Sequence, residues 1–121
     1  NFRKHQNNLS QTLYFHHPKC SKSRDGLIEL KNRRIHATII NYIKDGISLK
    51  QAQKIVNAYK GDLSKLLRLS DLKKDNLTPP PLEAKKISQF INQHPQYLQR
   101  PILYHHNKTT LGRPTNELFI D

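Results

Sequence analysis

The stretch from Thr12 to Ile43 constrains the fold more than any other part of the chain. Leu13-Tyr14-Phe15 is a short apolar, aromatic run stopped by His16-His17-Pro18, the pattern of a buried strand ended by proline. A helix is predicted from Ser21 to Arg33, with Leu27, Ile28 and Leu30 as its apolar stripe. Gly26 inside it costs about 1 kcal/mol relative to alanine, so its presence predicts close packing on a sheet. Ala37 to Ile43 is β-branched and rich in isoleucine, and reads as a second strand, parallel to the first across the helical crossover. Together these make a βαβ unit.

Asp45-Gly46 reads as a turn, and Ser48 as a helix cap with Gln51 three residues later completing a capping-box pattern. Leu49, Ala52, Ile55, Val56 and Tyr59 mark one face of the helix that follows. Asp62 can cap a short helix through Leu67 and Arg68, and the polar stretch from Ser70 through Asn76 to Pro79-Pro80-Pro81 reads as loop. Leu82 to Gln93 resumes helical spacing through Ile87, Phe90 and Ile91, and Pro95 ends it. Ile102-Leu103-Tyr104 and Thr109-Thr110-Leu111 flank a polar tip at His106-Asn107-Lys108, which predicts an antiparallel hairpin before a final stub of helix. The order describes an α/β, thioredoxin-like sandwich: a mixed four-stranded sheet flanked by helices, with a helical insertion between the βαβ unit and the C-terminal hairpin. Residues 1–11 are polar and read as a flexible arm, and 12–121 as a single domain, which is what 121 residues with 35% hydrophobic content can support.

No run approaches the roughly 18 apolar residues a membrane helix needs, and Asn-Phe-Arg-Lys-His lacks the apolar core of a signal peptide, so the expected compartment is the cytoplasm. The one cysteine, Cys20, cannot form an internal disulfide, which fits a reducing compartment. Lys and Arg total 21 against nine acidic residues, a formal charge of +12. The basic residues are scattered and lack interleaved aromatics, which argues against nucleic-acid binding and leaves a solvated surface or a small anionic substrate.

The chemistry concentrates at His16-His17-Pro18-Lys19-Cys20-Ser21-Lys22-Ser23-Arg24. A strand-to-helix junction leaves free backbone N–H groups pointing at the cysteine, and the helix dipole with Lys19, Lys22 and Arg24 lowers a thiol pKa. The same amides can bind an oxyanion. An ordinary core cysteine is the competing reading, but its neighbours here are polar.

This segment resembles the active-site segment of glutaredoxin-coupled arsenate reductases and their close homologues. Asn41-Tyr42-Ile43, Leu66-Leu67-Arg68, His94-Pro95 with Gln99-Arg100-Pro101-Ile102-Leu103, and Leu111-Gly112-Arg113-Pro114 resemble further segments of that family in the same order, over roughly residues 12 to 120. The resemblance implies that Cys20 is the nucleophile and that Arg68, Arg100 and Arg113 surround the bound oxyanion; Arg24, one of the cations beside Cys20, is expected to bind the substrate as well. Guanidinium forks present paired donors to a tetrahedral dianion such as arsenate, which lysine cannot do. His16, four residues before Cys20, becomes a candidate for tuning the thiol, and Ser23 a candidate donor to the thiolate, with helix capping as its alternative. Arg100-Pro101 falls where thioredoxin-like domains usually carry a cis-proline beside the active cysteine.

With no second cysteine an external thiol must resolve any intermediate, and the resemblance implies glutathione as co-substrate and glutaredoxin as partner, with no tightly bound cofactor. Seven histidines invite a metal site, but the adjacent pairs His16-His17 and His105-His106 would point to opposite faces of a strand, so none is expected. Two features depart from the family. Thr115-Asn116 follow Arg113-Pro114, with Glu117 one residue later than usual, and Cys-Ser-Lys-Ser is closer to uncharacterised homologues. Two rivals therefore stand beside the reductase: a regulatory protein of the Spx type that binds RNA polymerase, and a thiol reductase of the same fold with another substrate.

Overall fold

The computed structural model describes residues 11–120. Four strands form one sheet in the order β2-β1-β3-β4: β1 Leu13–His16, β2 Thr38–Asn41, β3 Ile102–His105 and β4 Lys108–Leu111. β2 lies parallel to β1, with Leu13 opposite Thr38 and His16 opposite Asn41, and β3 runs antiparallel to both β1 and β4. The mixed sheet matches the expected thioredoxin-like order, and the central strand β1 is buried along its whole length.

Alternation along the strands builds two cores. Leu13, Phe15, Ile102 and Tyr104 face one side, where Ala52, Ile55 and Val56 of α3 (Leu49–Asn57) meet Ile87 and Ile91 of α5 (Ala84–Gln93). Tyr14 and Leu103 face the other, against Leu30 of α1 (Ser21–Asn32) and Leu118 of the short 3-10 turn Thr115–Phe119. Gly26 of α1 is where this second core is thinnest. A Cβ there would stand 2.2 Å from the Tyr14 hydroxyl and 2.9 Å from Leu118 Cδ1. The Ser48–Gln51 capping box is present in full, and Thr109 Oγ1 donates to the Ile55 carbonyl, fastening β4 to α3.

Several expectations change. The strand predicted through Ile43 stops at Asn41, because the Asn41 side chain accepts from the Lys44 amide and starts α2 (Tyr42–Asp45). The stretch expected to be loop from Ser70 contains α4 (Leu69–Lys74). Its single apolar anchor, Leu72, is fully buried, and Asp71 in the first turn with Lys73 and Lys74 in the last suit the helix dipole. Leu49 and Ile28, expected on buried faces, are exposed, and Leu82 precedes α5 rather than opening it. The arm expected over residues 1–11 lies outside the described residues except for Gln11, which accepts from Lys54 Nζ.

Candidate active site

The carboxyl ends of β1 and β2 open on the segment that carries Cys20, the position at which parallel strands present loops and helix starts to a ligand. Cys20 is the N-cap of α1, half-buried and with extended backbone (φ −93°, ψ 122°). Burial raises its thiol pKa, but the Ser23 amide, the Arg100 guanidinium and the Lys22 amide together outweigh that and hold it below the ordinary value. Arg113 Nη2 lies 3.9 Å from the sulfur as a further donor.

Three loops bring in the arginines. Arg100 precedes β3 across a cis bond to Pro101, the isomer left open by the sequence, and Arg113 follows β4 with a second cis bond to Pro114. Arg113 Nε donates to the Arg100 carbonyl at 2.7 Å. Arg68 arrives by a different route, because its amide donates to the Tyr97 carbonyl and the Gln99 amide donates to the Leu66 carbonyl, laying residues 66–68 against 97–99. Its guanidinium is held by Asp71 Oδ2 at 2.6 Å and Gln99 Oε1 at 2.9 Å. From there its charge, with that of Arg100, reaches His17, whose pKa is lowered first by burial and then by these two cations.

The other expected residues fall as follows. Arg24 directs Nη1 at the Pro18 carbonyl, 2.9 Å away, and braces the Cys20 loop from outside. Ser23 is fully buried, and its hydroxyl accepts from the His17 amide; its own amide, not its hydroxyl, meets the sulfur. His16 is buried, stacks on Tyr14 at 5.8 Å, and has a pKa lowered by burial and by Arg24, so it is neutral near pH 7.

Two residues of the neighbourhood escape sequence reasoning. Tyr42 follows the Asn41 that pairs with His16, which sets its ring edge-on to His17 at 6.2 Å. His17 stands in the sequence within the Cys20 segment and as half of a histidine pair, with no role of its own. The sequence marks Tyr42 only as part of the Asn41-Tyr42-Ile43 segment, with no role; the register of β1 with β2 is what brings it to His17. Among the described residues, the buried side-chain polar atoms without a hydrogen-bond partner are His16 Nδ1, Tyr42 Oη and Arg100 Nε. All three belong to this end of the sheet.

A sulfur at a helix start with its pKa held low, and with guanidinium groups from two loops turned toward it, has the chemistry to hold a small oxyanion and attack it. The sequence pattern of the ArsC family matches residues 15–119. The chain belongs to the ArsC family. ArsC-family relatives cover nearly all of it: the arsenate reductase of Neisseria meningitidis serogroup A is 32% identical over 113 residues, spanning 91% of this chain and 97% of the relative. The arsenate reductase of Haemophilus influenzae is 30% identical over 105 residues, covering 84% and 90%. The solved structure of an arsenate reductase from Vibrio cholerae superposes with a TM-score of 0.76 at 25% identity, covering 93% of this chain and 98% of the other. That structure shares the thioredoxin-like fold seen here. Among the described residues, no helix is long and apolar enough to cross a membrane.

Proposed function

We propose that this chain is a cytoplasmic arsenate reductase, an oxidoreductase that uses Cys20 as its nucleophile and glutathione with glutaredoxin as its external reductant. The observation that carries the reading is the convergence of Arg100 and Arg113 on a Cys20 sulfur already inclined to ionise. The names of the family relatives support the substrate, and the absence of a second cysteine from the sequence supports an external thiol.

In the proposed cycle the Cys20 thiolate attacks arsenic(V), forming a sulfur–arsenic bond as one oxygen leaves as water. Arg100 and Arg113 neutralise the oxyanion and the charge that develops on its oxygens, while Arg68, tethered by Asp71 and Gln99, adds to the cationic field. Arg24 serves the same field through the loop it braces. His16, neutral and buried, tunes the surroundings of the thiol, and the amides of Lys22 and Ser23 stabilise the thiolate. Glutathione then displaces a second oxygen as water and becomes bonded to arsenic. Attack by the glutaredoxin thiolate on the glutathione sulfur forms a mixed disulfide. The electron pair of the broken arsenic–sulfur bond stays on arsenic, which becomes arsenic(III). Hydrolysis of the remaining bond returns Cys20 and releases arsenite.

The test is arsenate-dependent NADPH oxidation in the presence of glutathione, glutathione reductase and glutaredoxin. Turnover by the native chain that disappears in Cys20→Ser is expected. A folded native chain that leaves arsenate untouched but removes glutathione from a glutathionylated protein would replace this reading with a thiol reductase of another substrate.

A further inference from the structure

Tyr42 is fully buried, yet its hydroxyl has no hydrogen-bond partner, and neither has the buried Nε of Arg100 beside it. An unmade hydrogen bond in the interior is unfavourable, and more so for a charged guanidinium than for a phenol. A phenylalanine at position 42 would fill nearly the same volume without an orphaned oxygen. The hydroxyl is therefore unfavourable to the resting fold and needs a reason outside it.

The surroundings supply one. Arg100 acts on both Tyr42 and Cys20 by its charge and at hydrogen-bonding range, so its guanidinium spans the space between the phenol and the sulfur, although no bond of full geometry joins its Nε to the phenol. Burial pushes the phenol pKa up to about 12 in spite of that cation, so the group stays a neutral phenol at physiological pH. Such a hydroxyl can accept from Nε–H through its oxygen and keep its own proton for donation. The two orphaned groups complement each other, and a small rotation of the guanidinium would join them.

We propose that Tyr42 is a positioning residue of the oxyanion site: its hydroxyl is the inner anchor onto which Arg100 closes when a tetrahedral oxyanion sits against Cys20. The inference rests on the reading of Cys20 as an oxyanion site. An anion drawing on the outer nitrogens of Arg100 turns Nε toward the phenol and completes the bond between them.

The experiment measures anion binding without turnover. Cys20 is alkylated with iodoacetamide, a neutral reagent, in rising concentrations of arsenate, phosphate or sulfate, and protection is compared between the native chain and Tyr42→Phe. The variant should need at least about 10-fold more oxyanion for the same protection, the lower end of what a hydrogen bond to a charged group contributes. Its thermal unfolding midpoint without anion should equal or exceed the native one, while the rise in that midpoint with added oxyanion should shrink. Equal protection of the two proteins overturns the role of Tyr42 and leaves the site intact. A Tyr42→Phe chain that unfolds at lower temperature without anion also overturns it, because the hydroxyl would then be structural. Failure of every oxyanion to protect the native chain removes both this inference and the reductase reading.

Discussion

Arg113 donates through Nε to the backbone carbonyl of Arg100 at 2.7 Å while its Nη2 stands 3.9 Å from the Cys20 sulfur. One guanidinium thus binds a neighbouring loop and faces the thiol at once, which a lysine ammonium on a flexible stem cannot reproduce. Arg113→Lys should therefore behave much like Arg113→Ala, with kcat/KM for arsenate down about 10-fold or more. Steady-state kinetics of the two variants decide it, and near-native activity in the lysine form would show that charge alone suffices.

The alkylation rate of Cys20 should rise with pH through a midpoint below the value of about 8.5 for a free thiol. Because the Ser23 amide and not its hydroxyl meets the sulfur, Ser23→Ala should leave that midpoint close to the native one, whereas Arg100→Ala should raise it. Rates measured with iodoacetamide from acid to alkaline pH distinguish the two contributions.

Gly26→Ala tests the second core. Alanine gains about 1 kcal/mol of helix propensity. Against this, the new Cβ would meet the Tyr14 hydroxyl, which could give way only by breaking the bond it donates to the Ser23 carbonyl at 2.6 Å, the ring being fully buried. Overpacking of this kind costs about 1–3 kcal/mol, and breaking the buried hydrogen bond adds about 1 kcal/mol, so the net change should be destabilising by roughly 1–3 kcal/mol in urea unfolding.

His16, His17 and His105 all have folded-state pKa values lowered primarily by burial. As pH falls, the unfolded chain takes up these protons first, near the ordinary pKa of about 6.5, so protonation favours unfolding. Their contribution to stability is complete above that pH and is lost as pH drops through the lowered folded values. Thermal midpoints should fall from pH 7.5 to pH 5.5, and a flat profile would mean the rings are solvated.

What could be read in advance follows from how locally each feature is encoded. The Ser48–Gln51 cap needs only four consecutive residues, and the β1 run needs only its own apolarity and Pro18. Helix α4 is only six residues long, and of its two leucines Leu72 alone is buried while Leu69 is exposed, so Ser70 to Asn76 reads as polar loop. Cys20 and the three arginines could be named from short motifs. The attachment of Arg68 to Asp71 and Gln99 and the use of the Ser23 amide rather than its hydroxyl depend on loop geometry. Tyr42 is the limiting case, since its place beside His17 is set by the pairing of two strands separated by a helix.

The two-residue connection at His106-Asn107, with both residues at positive φ, determines that Ile102 lies opposite Leu111. Arg100 and Arg113 sit just beyond that last pair, one on each arm of the hairpin. The distance between the two cations is accordingly dictated at the remote tip, like the gap between the points of a pair of tongs. A slip of one position there would reverse the facing of a whole strand and part the arginines without altering any residue near the sulfur.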